Sequence, residues 1–310
     1  MRSIIAGLSL AVLLFVVGCN VLSPHRRDLP GGGGGVTNNA TPTVENLVKY
    51  LNTNAQRISP QEAITCTNVA IDVTADGQSV GLSGKMMCQT PRNFRLTGVV
   101  IGNPAVDIGS NKDEFWYWIS KNQPPYLFHC SYDAMSRGAR IPFPFQPDMV
   151  VTALGLAEYD ANKKYEMKVV DNKGRKAIEL IEQAKSPENR PIQKITVFDF
   201  NEARLPQPQI LAYVLKDDKG NVICTVNIHK AQRVGPKGAI IPKEMVFNWP
   251  SQKLKMTMQI NNPEIAPMSP EKAAMVFTRR NLGYQAFDLA TRQLDGGLQR
   301  AGATGPMVPR

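Results

Sequence analysis

The sequence predicts an α+β fold that is built mainly from antiparallel strands. From about residue 62 onward, apolar and polar residues tend to alternate, which is the period of a β-strand. Short turn signals, such as Asp76-Gly77 and Asn172-Lys173-Gly174, separate these segments, and connections of this length join antiparallel neighbours. With an apolar fraction of 43% in 310 residues, the chain can form one large domain or two smaller ones.

The first element is an export signal. Arg2 supplies a positive start, and an apolar run extends from Ile4 to Val17. The run is shorter than the roughly 20 residues that span a bilayer. Val16-Val17-Gly18-Cys19 resembles the lipobox of bacterial lipoproteins, which implies cleavage of residues 1–18 and lipidation of Cys19. The alternatives are an uncleaved anchor or a buried first helix with an incidental cysteine.

A flexible linker is predicted over residues 19–42. It contains Pro24, Pro30 and the run Gly31–Gly35, and its apolar content is too low to form a core. The lipobox resemblance places the protein in the cell envelope, lipid-anchored and facing the periplasm. Since Asn20 rather than aspartate follows the cysteine, the outer membrane is favoured over the inner one.

An amphipathic helix follows in "TPTVENLVKYLNTNAQRI". Apolar residues recur at three- and four-residue steps and give the helix one apolar face, which includes Val44, Leu47, Val48 and Leu51. Thr41 is the predicted N-cap, Pro42 suits the first turn, and Ser59-Pro60 ends the helix.

About a dozen strand segments come next, with one short helix among them. The helix lies in "FQPDMVVTALGLAEY", in which Asp148 is the predicted cap and Gly155 lies near the end of the helix. Residues 266–310 form a predicted C-terminal extension that is partly helical, with Ser269 as its cap, and then disordered in "DGGLQRAGATGPMVPR". The strand segments are "ITCTNVAIDVT", "GQSVGLSGKMMCQ", "NFRLTGVVIG", "DEFWYWISK", "PYLFHCSY", "KYEMKVVDN", "KGRKAIELIE", "IQKITVFDF", "ILAYVLKDD", "GNVICTVNIHK", "AIIPKEMVFNWP" and "KLKMTMQINN".

The sequence offers little material for catalysis. Its three histidines are isolated, and no zinc-protease or nucleophile-elbow motif is present. The expectation is therefore that the protein is not an enzyme and needs no cofactor or metal. The net charge of +10 is interpreted as a solvated surface with some attraction to anionic head groups, and no nucleic-acid partner is expected.

Four cysteines besides Cys19 raise the question of a disulfide, which export permits. If the first hairpin centres on Gly77, Cys66 and Cys88 face each other across the two strands. A register slip of one residue instead places Thr67 opposite Cys88. A Cys66–Cys88 bridge and two buried thiols therefore both stay open, and Cys130 and Cys224 are expected to be unpaired.

Large side chains occupy both faces of the strand "FWYWI". Trp116 and Trp118 share one face, and Phe115 and Tyr117 share the other. In a sheet with one solvated face, apolar and polar residues alternate more regularly. Either helices and loops cover both faces of an ordinary core, or the sheet curves around an apolar cavity.

The order of several motifs resembles the LolA/LolB-like superfamily of lipoprotein-sorting and lipid-binding proteins. The motifs are "TPRNFRL", "DIGSNKDEFWYW" and the late "GAIIPKEMVFNWP", and they follow the amphipathic helix and the first strand pair. The resemblance spans residues 43–265 and implies a curved, open half-barrel of about 10–12 strands. It also implies that helices cover the concave mouth, that the concave side holds acyl chains, and that Val44, Leu47, Val48 and Leu51 form a helix lid. Within the matching elements, Phe94, Trp116, Trp118 and Trp249 are the candidate ligand-binding residues.

The resulting expectation is a monomeric, membrane-anchored envelope lipoprotein. It binds an acyl chain, a lipid or another lipoprotein in the concave cavity and takes part in lipoprotein or lipid transport. Two alternatives remain open: a purely structural or protein-interaction lipoprotein with a filled core, and an unrecognised hydrolase.

Overall fold

The computed structural model describes residues 41–139, 141, 147–172, 174–201 and 208–295. The predicted signal 1–18, the lipidation site Cys19, nearly all of the linker 19–42 and the tail 296–310 lie outside these ranges. Within them, no helix is both long enough and apolar enough to span a bilayer.

A single open sheet organises the described residues. It has 16 strands in the order β16-β15-β6-β5-β4-β3-β2-β1-β13-β12-β11-β10-β9-β8-β7, and β14 pairs separately with β1. The strands are β1 (Glu62–Ala75), β2 (Gln78–Gln89), β3 (Asn93–Val100), β4 (Asn103–Ser110), β5 (Glu114–Ile119), β6 (Leu127–Ser131), β7 (Tyr165–Asn172), β8 (Arg175–Lys185), β9 (Pro191–Asp199), β10 (Ile210–Asp217), β11 (Val222–Val234), β12 (Ala239–Trp249), β13 (Leu254–Asn261), β14 (Glu264–Pro267), β15 (Ala286–Asp288) and β16 (Gln293–Leu294). The helices in these ranges are α1 (Val44–Ala55), α2 (Tyr132–Ser136), α3 (Pro147–Ala153) and α4 (Pro270–Val276), and a 3₁₀ turn spans Pro250–Gln252.

Two antiparallel meanders make up most of this sheet. Strands β1 to β6 form one meander and β7 to β13 the other, and pairing of β1 with β13 joins them. The sheet does not close, so the chain forms the open, curved half-barrel that the resemblance implied. We call the face covered by α1 and α3 the inner face and the opposite one the outer face. The main hydrophobic core lies on the inner face. Val150 of α3 and Leu154, just after this helix, belong to the same cluster as Phe115 and Tyr117 of β5.

The first hairpin rules out the Cys66–Cys88 pairing. Asp76 and Gly77 both have positive φ, as a two-residue type I′ turn requires, so Ala75 pairs with Gln78. An irregularity between Cys66 and Val69 shifts the register by one more residue. Cys66 therefore faces Met86, Cys88 faces Ile64, and both thiols are free and buried.

The helix starts differ in detail from the sequence predictions. Thr43, not Thr41, caps α1, because its hydroxyl accepts the Asn46 N–H at 3.2 Å. Asp148 lies inside the first turn of α3 rather than in front of it. Helix α2 was missed, since the predicted strand "PYLFHCSY" already ends at Ser131, which caps this five-residue helix.

The C-terminal extension crosses the outer face of the first meander. We call residues 268–295 the C-terminal strap. Its helix α4 has Ser269 as N-cap, as predicted, but it spans only Pro270–Val276. Further along the strap, β15 pairs in parallel with β6, and the Leu127 N–H donates to the Gln285 carbonyl at 3.0 Å. The strap therefore runs from β1, beside β14, to the outer edge of β6.

Candidate functional site

Helix α1 covers the inner face of the second meander. Its apolar side chains Leu47, Val48 and Leu51 are buried against Ile178 and Leu180 of β8 and against Phe198 of β9. Val44 is half-buried at the edge of the same cluster. The four residues of the predicted lid thus all contact the sheet, and they form a cluster separate from the main core.

A small apolar cavity lies at the boundary between this cluster and the main core. Leu51 and Asn54 of α1 form its roof, and Tyr213, Ile228 and Ile241 of three neighbouring strands are part of its lining. The cavity volume is about 60 Å³. Since a cavity of about 150 Å³ holds one benzene ring, this space does not accommodate an acyl chain while α1 stays in place.

Two asparagines hold the C-terminal half of α1 on the sheet. Asn52 makes a reciprocal pair with the backbone of Tyr159, with both hydrogen bonds at 2.8 Å. Asn54 accepts the Ile240 N–H at 2.8 Å and donates to the Ile240 carbonyl at 2.9 Å. Its amide also donates to the Gly155 carbonyl at 3.3 Å.

The N-terminal half of α1 is attached differently. Val44, Leu47 and Val48 contact the sheet through apolar side chains, and the described polar bonds to the sheet and its loops lie toward the other end of the helix. There, Arg57 donates to the Gly238 carbonyl at 2.8 Å. The helix is thus clamped at its C-terminal end and held by apolar contacts at its N-terminal end.

Three tyrosines are part of the cavity lining. Burial raises the pKa values of Tyr50, Tyr159 and Tyr213, so these side chains stay neutral over the physiological range. The Tyr159 hydroxyl lies 3.0 Å from the Thr196 hydroxyl. A site with this lining suits an uncharged, apolar group better than an ionic one.

The structure separates the four predicted ligand-binding aromatics into two pairs. Phe94 and Trp249 lie on the inner face and are fully buried in the main core, where Trp249 stacks on Phe247 with ring centroids 5.5 Å apart. Trp116 and Trp118 lie on the outer face. None of the four lines the cavity beneath α1.

The C-terminal strap explains why Trp116 and Trp118 are buried on the outer face. They cluster with Leu127 and with Leu282 of the strap, and Tyr284 stacks on Trp118 with centroids 4.8 Å apart. The resemblance does not extend to the strap, so no sequence motif predicted a cover on this face.

A buried ion pair fastens the strap to the sheet. Arg95 of β3 lies 2.6 Å from Asp107 of β4, and both side chains are less than 10% exposed. The same guanidinium donates to the carbonyls of Val276 and Thr278 in the strap, at 2.9 and 3.3 Å. Sequence analysis missed this role because Arg95 and Asp107 alternate with apolar residues, as any exposed strand residues do.

The buried thiols have low reactivity. Burial raises the pKa of Cys88 and of Cys224 to about 12, and that of Cys130 to about 11. They therefore remain protonated and are poor nucleophiles. Over the described ranges, no group of three or more His, Cys, Asp or Glu side chains is arranged to hold a metal ion.

Three solved structures are similar to this chain in fold. A putative outer membrane lipoprotein-sorting protein domain from Vibrio parahaemolyticus matches with a TM-score of 0.51 at 8% identity, covering 75% of this chain and 98% of that chain. A DUF1329 family protein from Desulfovibrio piger matches with a TM-score of 0.47 at 10% identity, covering 72% and 93%. A LolA superfamily protein from Nitrosomonas europaea matches with a TM-score of 0.45 at 11% identity, covering 74% and 96%. No protein-family model and no curated protein sequence matches the chain. At these identities the likeness concerns the fold alone, and the conclusion is that the chain has a LolA-like fold.

Proposed function

We propose that this protein is a lipid-anchored envelope lipoprotein that binds an acyl chain on the inner face of its sheet, beneath α1. It acts by binding rather than by catalysis, in lipoprotein or lipid transport. The observation that carries the proposal is that α1 covers an apolar surface of β8 and β9 that is continuous with an apolar cavity. The Vibrio structure that shares the fold is described as a lipoprotein-sorting domain, which supports the same class of function.

Binding requires α1 to move, because the cavity of about 60 Å³ is too small for an acyl chain. The two ends of the helix differ in how they are held. Apolar contacts at the N-terminal half can be exchanged for contacts with an acyl chain at little cost, since both are apolar. The bonds of Asn52 and Asn54 have no such replacement. We therefore infer that the N-terminal half of α1 swings outward first. The bonds of Asn52 and Asn54 then limit full opening, because they must break before the C-terminal half can follow.

Replacing Asn54 with alanine should strengthen acyl binding while it weakens the fold. The change removes the bonds to Ile240 and Gly155 and should lower the free energy of unfolding by about 1–3 kcal/mol. Because the closed state loses these bonds, the open state becomes more populated and the apparent affinity should rise several-fold. The affinity is measured with cis-parinaric acid, whose fluorescence increases in an apolar site, and the stability by urea unfolding.

Thr53→Ala is the matched control for this experiment. Thr53 is exposed on the same helix, and its hydroxyl donates only to the Lys49 carbonyl within the helix. It should leave the affinity for cis-parinaric acid unchanged. Failure of both the wild-type protein and the Asn54→Ala variant to bind the probe would support the alternative of a structural lipoprotein with a filled inner face. If the wild-type protein and the Asn54→Ala variant bind the probe equally tightly, movement of α1 does not control binding.

Lipid anchoring is tested separately at Cys19. Its thiol is the only group of the lipobox-like segment that can form a thioether with a diacylglyceryl group. Cys19→Ser should therefore block cleavage after residue 18 and abolish incorporation of labelled palmitate in a bacterial host. Palmitate incorporation that persists in the variant contradicts lipidation at Cys19.

A further inference from the structure

Strand β7 is an open edge of the sheet. One side pairs with β8 along all eight residues of β7, and no described strand pairs with the other side. An edge of this length offers a row of unpaired N–H and C=O groups, which natural sheets usually protect. Here the edge also carries Val169, whose side chain is 50% exposed.

The side chains of β7 are complementary to those of a second copy of the same strand. Suppose that two β7 strands pair antiparallel about a two-fold axis perpendicular to the sheet and passing between the two Met167 residues. Residue 166 then faces residue 168 of the other chain, so Glu166 and Lys168 meet twice. Both side chains are more than half exposed and are held 3.0 Å apart within one chain. Opposite charges that face each other across strands are favourable.

The inner-face residues match in the same register. Exposed Val169 faces Tyr165 of the other chain, and the two Met167 side chains meet on the axis. Tyr165 and Met167 already belong to the apolar cluster under α1, so the pairing extends that cluster across both chains. Aromatic and β-branched cross-strand pairs are stabilising.

Neighbouring registers lack this complementarity. If the pair is centred on Glu166, the two Glu166 carboxylates lie opposite each other. If it is centred on Lys168, the two Lys168 ammonium groups lie opposite each other. A one-residue slip flips the faces of the partner strand. The register centred on Met167 is thus the one that pairs unlike charges on one face and apolar residues on the other.

We propose that two copies of this chain associate through antiparallel pairing of their β7 strands, centred on Met167. The sequence alone favoured a monomer, and the open, self-complementary edge is the reason to expect a dimer instead. Pairing of one strand per chain buries a small interface, so the association should be no tighter than micromolar and should be favoured by confinement to a membrane. The proposal does not require acyl binding, although Tyr165 and Met167 belong to the cluster beneath α1.

Cysteine cross-linking of the full chain in membranes tests this pairing. Met167→Cys places two thiols directly opposite each other, with Cα atoms about 4.5–5.5 Å apart, which is within the range of a disulfide. Mild oxidation should then give a covalent dimer on a non-reducing gel. Val169→Cys is the matched control, because its two Cα atoms lie about 14 Å apart in this register. Val169 is more exposed than Met167, so random collisions would cross-link the control better.

A charge exchange in the Met167→Cys background adds a second test. Lys168→Glu places carboxylates opposite each other and should reduce the dimer band several-fold. Adding Glu166→Lys restores unlike pairs and should restore the band. Equal or stronger cross-linking at position 169, or a dimer band that is insensitive to Lys168→Glu, would overturn the proposal.

Discussion

Replacing Arg95 with methionine should lower the free energy of unfolding by about 3–5 kcal/mol. The substitution leaves the Asp107 carboxylate buried without its cationic partner, and one of its oxygens already lacks a hydrogen bond within the described residues. It also removes the bonds to the carbonyls of Val276 and Thr278. The strap should loosen in consequence, so the emission of Trp116 and Trp118 should shift to the red. Urea unfolding and tryptophan fluorescence measure the two effects.

Two further variants identify the cause of this loss. Arg95→Met with Asp107→Leu replaces the whole pair with apolar side chains and should recover much of the stability, because no unpaired charge remains. Arg137→Met removes an exposed ion pair with Asp133 and should change the free energy of unfolding by less than about 1 kcal/mol. An Arg95→Met variant that is as stable as Arg137→Met would show that the pair does not hold the strap.

Local sequence patterns predicted the elements of the fold well, because each pattern has a local physical cause. The apolar stripe of α1 predicts a helix that must lie on something, and the structure places Leu47 and Leu51 against the sheet. The Asp76-Gly77 pair predicts a two-residue turn, and the turn is present. The open half-barrel itself came from the resemblance and not from these patterns, since strand periodicity does not reveal how a sheet curves.

Features that depend on non-local contacts were less predictable. The register between Cys66 and Cys88 depends on an irregularity between Cys66 and Val69, away from the turn, which no residue pattern marks. The asparagine clamp is equally hidden, because Asn52 and Asn54 look like ordinary polar positions on a helix until Tyr159 and Ile240 are brought beside them.

Among these features, the sheet face on which Trp116 and Trp118 lie matters most for function. The two-residue period of a β-strand correctly places both tryptophans on one face of β5. It does not reveal which face of the sheet is the inner one. The strap decides the question, since it supplies Leu282 and Tyr284 as a cover more than 160 residues further along the chain. The structure thus places these tryptophans away from the cavity beneath α1, and a different outcome of mutation is expected.

Trp116→Ala should behave as a packed-core deletion and should leave acyl binding unchanged. Trp116 is 1% exposed, and Gly109 of β4 lies so close to its ring that a Cβ at this position would overlap with it. Removing the indole should lower the free energy of unfolding by about 3–5 kcal/mol, as measured by urea unfolding. The affinity for cis-parinaric acid should stay at the wild-type value below the unfolding transition, because the cavity beneath α1 lies on the other face.

Tyr284→Ala is the companion variant for the outer face. Tyr284 is 41% exposed and stacks on Trp118, so its removal should cost only about 0.5–1.5 kcal/mol but should shift the emission of Trp118 to the red. Together the two variants separate the structural role of the outer face from binding at the inner face. If Trp116→Ala instead abolishes binding of cis-parinaric acid at little cost in stability, the ligand lies on the outer face. The strap, rather than α1, would then be its cover.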